Sequence, residues 1–270
     1  MSTMTHTSGH APVGDLNVYY EIHGEPTGLP PVLLLHGGLF DIDLQFGGII
    51  DGLASDRQVV AMDLQGHGGT NDVDRPFRAA DMAGDAVGLL DHLGIDRVDV
   101  VGYSLGGNVA IGLAVHHPDR VRRLVASSVS YAKAGMRGSE NADAVGEMKV
   151  EMIAGTPMEA TYLAKSPHPD HEHLQGLLDK LGAIFSEPDW TEEQIRGIAA
   201  PTLVTVGDAD MVSLDHAVAF LRLRGGDVNG DFEGVPASQL AVLPGTTHFG
   251  GYADPELVLA VLRPFLSAAD

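Results

Sequence analysis

The sequence predicts an α/β fold in which a mostly parallel sheet carries helices on both faces. Short apolar runs recur along the chain, and such runs are typical of strands that are buried on both faces. Segments with helical periodicity separate them, and this alternation favours parallel pairing of the strands. The predicted strands are Leu16–Ile22 as an edge strand, Val32–Leu35, Val59–Leu64, Val98–Tyr103, Leu124–Val129, Thr202–Val206 and Leu240–Leu243.

Four helices are predicted among these strands. In the first, apolar residues are spaced three and four positions apart along one face, and Gly94 is placed to end it. Pro118 stops the second helix. The predicted helices are Ala79–Leu93, Ser104–His117, Leu214–Leu223 and Pro255–Leu266.

One stretch interrupts the alternation of strands and helices. From Ala132 to about Ala199 no run predicts a buried strand, although the stretch holds four methionines and many charges. We therefore expect a helical cap, residues 132–199, inserted into a core that is formed by residues 1–131 and 200–270. Its ends would act as hinges near Ser130 and Pro201.

Composition limits the classes of partner. The chain has 37 acidic and 16 basic residues and a net charge of −21, so we expect its surface to repel nucleic acid. It contains no cysteine, which excludes disulfides, thiolate metal ligands and a cysteine nucleophile. We find neither a signal-like apolar segment at the N-terminus nor a run of about 18 apolar residues. We therefore expect a cytoplasmic protein without a membrane partner, whose oligomeric state stays open.

The strongest motif is Gly102-Tyr103-Ser104-Leu105-Gly106, which fits the pattern G-x-S-x-G. An apolar strand precedes it and a helix follows, the context in which a strained turn pushes a serine hydroxyl out above the strand end. Side chains at the two glycines would collide with the neighbouring strand and helix. This context indicates that Ser104 is a nucleophile and disfavours the alternative, a glycine-rich turn that only packs.

A second glycine-rich loop, His36-Gly37-Gly38-Leu39-Phe40, follows an apolar strand. Backbone N–H groups in such a loop can bind a developing oxyanion, together with the N–H of the residue after the nucleophile. We expect the N–H groups of Gly38 and Leu105 to form this oxyanion hole, with Leu39 as the alternative to Gly38. His36 is expected to support the loop by hydrogen bonding rather than to act as a base.

Candidates for the acid and the base follow two late strands. Asp208 and Asp210 come after one of them, at the edge of the sheet where Ser104 lies. His248 follows the last strand, and of the 13 histidines it alone gives the chain order serine, acid, histidine. We therefore expect His248 to be the general base. Asp210 is favoured as the acid because it has more reach, whereas Asp208 suits a cap within the turn.

A mostly apolar substrate pocket is expected around these residues, with contributions from the core and from the cap. For the cap residues, ordinary packing onto the core is an equally favoured interpretation. The predicted lining is Leu39, Phe40, Tyr103, Met211, Val212, Phe249, Met148, Met152 and Trp190.

No metal site and no cofactor are predicted. His168, His171 and His173, with Asp170 and Glu172, are loosely spaced in a segment that contains proline. Because a metal ligand set needs convergent geometry, a solvated loop is the favoured interpretation of this segment.

The chain resembles the α/β-hydrolase superfamily, specifically its serine-nucleophile, cap-containing, esterase-like branch, over nearly its whole length. The resemblance implies an α/β-hydrolase fold, an acid three residues after a strand-ending glycine, which selects Asp210, and an oxyanion donor at Gly38. It rests on the His36-Gly37 loop, the segment Asp63–Gly68, the turn Gly102–Gly107, the segment Pro201–Asp210 and His248.

Two features depart from this resemblance. Gln65 stands where related enzymes often have arginine, which removes support for an anion-binding or ion-pair role there but not for catalysis. The segment Gly225–Pro236 is an added loop that would shape the entrance or a contact surface.

These residues predict a serine hydrolase that cleaves a small carboxylic ester or lactone through an acyl-enzyme intermediate. Carbon–carbon bond hydrolysis and cofactor-free perhydrolysis, as in haloperoxidases, use the same three residues and stay open as alternatives. A ligand-binding receptor is less favoured, because binding alone needs no activated nucleophile. A serine at position 104 argues against the branch with an aspartate nucleophile, the haloalkane dehalogenases and epoxide hydrolases.

Overall fold

An eight-stranded sheet runs through the part of the chain that the computed structural model describes, residues 6–137, 148–184 and 187–268. Its strands are β1 His6–Val13, β2 Leu16–His23, β3 Val32–Leu35, β4 Val59–Met62, β5 Val98–Tyr103, β6 Val121–Ser127, β7 Thr202–Ala209 and β8 Gln239–Thr247. Their order across the sheet is β1-β2-β4-β3-β5-β6-β7-β8. The two pairs that involve β2 are antiparallel and the other five pairs are parallel.

The helices cover both faces of the sheet, because the central strands are apolar on both sides. Their bounds are α1 Ile42–Phe46, α2 Ile50–Ala54, α3 Ala79–Leu93, α4 Leu105–His116, α5 Val150–Ile153, α6 Pro157–Lys165, α7 His171–Ala183, α8 Glu192–Gly197, α9 Leu214–Leu223, α10 Gly230–Glu233 and α11 Pro255–Leu266. In β3, Val32 and Leu34 pack with α1, α2 and α11, whereas Leu33 and Leu35 pack with α3, α4 and α9. The predicted fold class is therefore confirmed.

The first strand, β1, was not predicted, and β2 is not the edge strand that its alternation suggested. β1 pairs with β2 along its whole length and takes the edge position. Its residues are mostly polar and exposed, as an outer strand allows, so no apolar run indicates it. The signal that was available is the pair Gly14-Asp15, a two-residue hairpin turn with φ of 57° at Gly14.

Among the described residues between β6 and β7, four α-helices, α5 to α8, follow one another, and the described residues of 132–199 contribute no strand to the sheet. They pack on the core close to the glycine-rich loop after β3. A Cβ added at Gly38 would lie 2.9 Å from Cδ2 of Leu181, so α7 covers that backbone directly. Lys165 Nζ of α6 lies 2.8 Å from Oδ2 of the buried Asp41. The boundaries of the cap stay a prediction, and its residues 138–147 and 185–186 lie outside the described part.

None of the described helices is long and apolar enough to cross a membrane. The added loop predicted at Gly225–Pro236 contains the short helix α10. Phe232 and Val235 of this loop have 87% and 83% of their surface exposed.

Candidate active site

Ser104 stands in a strained turn between β5 and α4. Its φ of 52° and ψ of −112° lie in a region of backbone angles that residues other than glycine rarely adopt. Its N–H donates to the Ser127 carbonyl at 2.9 Å. The two glycines of the motif permit close packing around this turn. A Cβ at Gly102 would lie 2.2 Å from the Gly106 carbonyl oxygen, and one at Gly106 would lie 2.1 Å from the Leu35 carbonyl oxygen. The turn therefore lifts the Ser104 hydroxyl above the sheet.

His248 follows β8 and brings its imidazole between Ser104 and Asp210. Its Nε2 lies 2.9 Å from Ser104 Oγ, and its Nδ1 lies 2.8 Å from Asp210 Oδ1. The side chain of His248 is 10% exposed and that of Asp210 is fully buried. The three residues thus form one continuous chain of hydrogen bonds from the buried carboxylate to the partly exposed hydroxyl.

Asp210 is held in place by several donors. Ser128 Oγ donates to its Oδ2 at 2.6 Å, and the N–H of Val212 donates to its Oδ1 at 3.0 Å. Burial by itself raises the pKa of Asp210, but the hydrogen bonds and the nearby His248 outweigh it and lower the pKa below its ordinary value. Asp210 is therefore ionised at neutral pH and can stabilise a positive imidazolium.

Asp208 lies nearby but points elsewhere. It is exposed, and its Oδ1 accepts a hydrogen bond from the N–H of Thr246 at 3.2 Å. The strand predicted to end at Val206 continues with an irregularity to Ala209, so the chain does not leave the sheet directly after Gly207. A Cβ at Gly207 would lie 2.2 Å from the Thr246 carbonyl oxygen, so this glycine serves the close approach of β8.

The glycine-rich loop after β3 lies next to Ser104. Gly38 and Leu105 line the same cavity as Ser104, and Leu105 opens α4, where N–H groups have no acceptor within the helix. His36 lies buried beneath the loop. Its Nδ1 is 2.8 Å from the Gly37 carbonyl oxygen and its Nε2 is 3.0 Å from the N–H of Leu64. Burial lowers the pKa of His36 to about 3, so the ring is neutral and supports the loop, as its position in the sequence indicated.

A cavity of about 540 Å³ opens at Ser104, between the core and the helices that precede β7. Such a volume suits a small-molecule site. Of the predicted lining residues, Leu39, Met148, Trp190, Met211 and Phe249 border it. Further apolar side chains on its wall are Leu105, Val129, Met136, Leu181 and Ile184.

Four of the predicted lining residues do not border this cavity. Met152 is 66% exposed, because it lies two positions after the buried Val150 on α5 and therefore on the opposite side of that helix. Tyr103 lies beneath the site, where its hydroxyl donates to the His248 carbonyl at 2.5 Å. Phe40 stacks on Phe249 and lines a smaller neighbouring cavity. Val212 is buried and forms a backbone bridge with Met136.

Polar side chains also border the cavity, Lys133 and Gln194 among them, and some of these side chains contact one another. Asn108 lies one helical turn after Ser104, and its Oδ1 accepts a hydrogen bond from Trp190 Nε1 at 3.2 Å. Arg78 Nε lies 3.4 Å from Glu187 Oε1. The cavity therefore offers a mainly apolar wall with one amide beside the serine.

Ser128 was missed at the sequence level. It directly follows β6, and φ of 48° directs its hydroxyl to Asp210. The available signal was a hydroxyl residue at the carboxyl end of a buried strand, at the edge of the sheet that holds Ser104.

Replacing Ser128 by alanine is expected to lower turnover about tenfold, because a hydrogen bond to a charged group contributes about 1.5–3 kcal/mol. The matched control is Ser130→Ala, since Ser130 borders the same cavity but contacts His216 and the Ala132 carbonyl. Steady-state kinetics and melting temperatures of both variants check this. Equal turnover in the two variants would remove Ser128 from the support of Asp210.

The segment His168–His173 is only partly the loop that was predicted. Asp170 caps α7 by accepting the N–H of His173 at 2.9 Å, so His171 and His173 belong to the first helical turn. The rings of His168 and His173 stack with centroids 4.5 Å apart, and His171 Nε2 lies 2.9 Å from Glu159 Oε1.

The order of the strands defines an α/β fold. The strained turn between β5 and α4 carries the hydroxyl of Ser104, as in enzymes of this kind. A profile of the α/β hydrolase fold matches residues 30–172. The chain therefore belongs to the α/β-hydrolase family and is an enzyme of that class.

Two curated relatives illustrate how far sequence similarity extends. The pyrrolizixenacetamide deacetylase of Xenorhabdus hominickii is 26% identical over 279 residues, which cover 96% of this chain and 97% of that protein. A protein of Caulobacter sp. strain K31, provisionally named a carbamate hydrolase, is 36% identical over 109 residues. That alignment covers 40% of this chain and 41% of the relative, so this chain matches less than half of the relative's length.

Solved structures share the fold at lower identity. The enol-lactonase from Burkholderia xenovorans LB400 superposes with a TM-score of 0.72 at 21% identity, covering 96% of this chain and 100% of that one. A meta-cleavage product hydrolase from Pseudomonas fluorescens IP01 superposes with a TM-score of 0.76 at 20% identity, covering 98% of each chain.

Proposed function

We propose that this enzyme hydrolyses small carboxylic esters or lactones through an acyl-enzyme formed on Ser104. The observation that carries the proposal is the hydrogen-bond chain from Asp210 through His248 to Ser104, with distances of 2.8 and 2.9 Å. A buried carboxylate, an imidazole and a hydroxyl in this order provide an activated oxygen nucleophile.

The first half of the reaction acylates the serine. Asp210 accepts a hydrogen bond from the Nδ1–H group of His248. This bond keeps the ring proton on Nδ1, so Nε2 is free to take the proton of Ser104. Oγ then attacks the substrate carbonyl, and the N–H groups of Gly38 and Leu105 bind the oxyanion that forms. When the tetrahedral intermediate collapses, the carbon–oxygen bond to the leaving group breaks and His248 gives its proton to the departing alkoxide.

The second half returns the serine to its starting state. Water replaces the alcohol, and His248 takes one of its protons as the water oxygen attacks the acyl carbon. Collapse of the second intermediate releases the acid and returns the proton to Ser104 Oγ. In a lactone, alcohol and acid are two ends of one product. The cycle uses protein groups and water alone.

The walls of the cavity favour an uncharged substrate with an apolar acyl part. The residues around Ser104 are mainly apolar, and Arg78 at the rim is paired with Glu187. The net charge of −21 also disfavours anionic substrates. The experiment is therefore a screen of purified enzyme against p-nitrophenyl esters with short and medium acyl chains, alongside simple lactones. Turnover of these compounds is expected, and its absence for all of them would contradict the proposal.

Carbon–carbon bond hydrolysis and perhydrolysis would use the same three residues, and the likeness to the meta-cleavage product hydrolase extends to the fold alone. A meta-cleavage product and an acid with hydrogen peroxide belong in the same screen as competing substrates. A higher kcat/KM for either compound than for every ester and lactone would replace the proposed reaction while keeping the nucleophile.

Substitution of Met148 by alanine is expected to change acyl-chain preference, because its side chain borders the cavity. The ratio of kcat/KM between medium and short esters should shift about tenfold, the order of effect that lost hydrophobic contacts produce. Met152→Ala is the matched control, since Met152 belongs to the same segment but is 66% exposed. Identical shifts in both variants would exclude a direct contact between Met148 and the acyl chain.

A further inference from the structure

Three side chains with metal-ligating atoms converge at the edge of the sheet, away from Ser104. The antiparallel register of β1 and β2 places His6 directly opposite His23, and Glu21 lies two residues before His23 on the same face. His23 is also paired with Val59, the first residue of β4. The cluster therefore lies at the amino end of the parallel strands, whereas Ser104 follows the carboxyl end of β5.

Both imidazoles direct the same nitrogen to one carboxylate oxygen. Nε2 of His23 lies 2.8 Å from Oε2 of Glu21, and Nε2 of His6 lies 3.6 Å from that oxygen. The two rings stack with centroids 4.5 Å apart at an angle of 11°. The three ligand atoms all lie within 4.8 Å of one another.

These separations are close to what a tetrahedral zinc site requires. With zinc bonds of about 2.0–2.2 Å to nitrogen and oxygen, neighbouring ligand atoms are about 3.3–3.5 Å apart. The His6–Glu21 separation already has nearly this value, and the His23–Glu21 separation would have to lengthen by about half an ångström. Side-chain rotations would have to supply that change and to bring the two imidazole nitrogens, which lie within 4.8 Å of each other, to a similar separation.

Neighbouring residues orient the carboxylate of Glu21 and leave the cluster open to solvent on the side of His6. Tyr19 donates from its hydroxyl to Oε1 of Glu21 at 2.9 Å, which orients the group and leaves Oε2 for another partner. The Glu21 side chain is 8% exposed and that of His6 is 50% exposed, which gives an ion access from solvent.

We propose that His6, Glu21 and His23 bind one Zn²⁺ ion, with water in the fourth position. Zinc binds imidazole nitrogen as well as carboxylate oxygen, whereas magnesium selects oxygen ligands. Two imidazoles and one carboxylate therefore favour zinc over magnesium. The ion would join the first residue of β1 to the end of β2. The site is independent of the hydrolytic reaction, because it lies at the amino end of the parallel strands, whereas Ser104 follows the carboxyl end of β5.

The test is a titration of metal-free, tag-free full-length protein with Zn²⁺, by calorimetry and by competition with a chromophoric chelator. One equivalent is expected to bind, and the melting temperature should rise with Zn²⁺ but not with Mg²⁺. His6→Ala and Glu21→Gln should each weaken Zn²⁺ binding at least about tenfold. Loss of a residue that only hydrogen-bonds a metal ligand already has an effect of about this size. His6→Ala is the main variant, because His6 is half exposed on the edge strand and its loss leaves the core intact.

Two control variants keep other histidines from being mistaken for the site. His10→Ala changes a residue of β1 whose ring contacts the Gly69 carbonyl, and His173→Ala changes the ring beside Asp170. Both should bind Zn²⁺ like the wild type. The proposal is overturned if no stoichiometric binding is found, if binding survives His6→Ala and Glu21→Gln, or if a control variant removes it. Circular dichroism of each variant ensures that only folded protein is compared.

Discussion

Replacing Ser104 by alanine is expected to lower the turnover of an activated ester by about 10³-fold or more. The variant retains the cavity, the proposed oxyanion donors and the His248–Asp210 pair but has no oxygen to attack the carbonyl. The fold should persist, because alanine keeps the Cβ that the backbone at φ of 52° already accommodates. Initial rates on one p-nitrophenyl ester, with circular dichroism and melting temperatures, measure both parts of this expectation. Unchanged turnover in a folded variant would remove Ser104 from the mechanism.

Replacing Asp210 by asparagine is expected to lower turnover by about 10⁴-fold, as the equivalent change does in a serine protease. Asparagine has nearly the same shape but lacks the charge that stabilises the imidazolium. Its amide can also donate to Nδ1 of His248, which places the ring proton on Nε2 and blocks proton transfer from Ser104. Initial rates for this variant on the same ester measure the loss.

Asp208→Asn is the matched control for that change, because Asp208 lies two residues before Asp210, inside β7. It is exposed and contacts the N–H of Thr246, which the asparagine oxygen can still accept. Turnover should stay close to that of the wild type, with a loss of stability of no more than about 1 kcal/mol. If Asp208→Asn were inactive and folded while Asp210→Asn stayed active, the assignment of the acid would be reversed.

The sequence predicted the central strands and the strand-to-helix turn that carries Ser104 because both depend on local pattern. Apolar runs such as Val32–Leu35 are buried on both faces by necessity, and the glycines around Ser104 report close packing that side chains would prevent. The choice of Asp210 over Asp208 followed from reach and resemblance. The structure gives the physical difference between them, which is burial with four hydrogen-bond donors for Asp210 and exposure for Asp208.

What the sequence did not predict depends on contacts between distant segments. Within the part of the chain that the structure describes, β1 is the outermost strand and is mostly polar, so hydropathy alone does not reveal it. The orientation of Met152 depends on the phase of a four-residue helix, which has too few positions to show a period. Tyr103 belongs to the motif but points beneath His248, a direction that only its contact with the loop after β8 determines.

The most direct test of the account is to react the purified enzyme with a fluorophosphonate and to locate the label by mass spectrometry of the intact chain and its peptides. Ser104 Oγ should displace fluoride and form a single phosphonyl ester, with loss of esterase activity in proportion to labelling. Ser104→Ala should stay unlabelled, and Asp210→Asn should label far more slowly than the wild type. Labelling of a different residue, or full esterase activity after complete labelling of Ser104, would contradict the proposed mechanism.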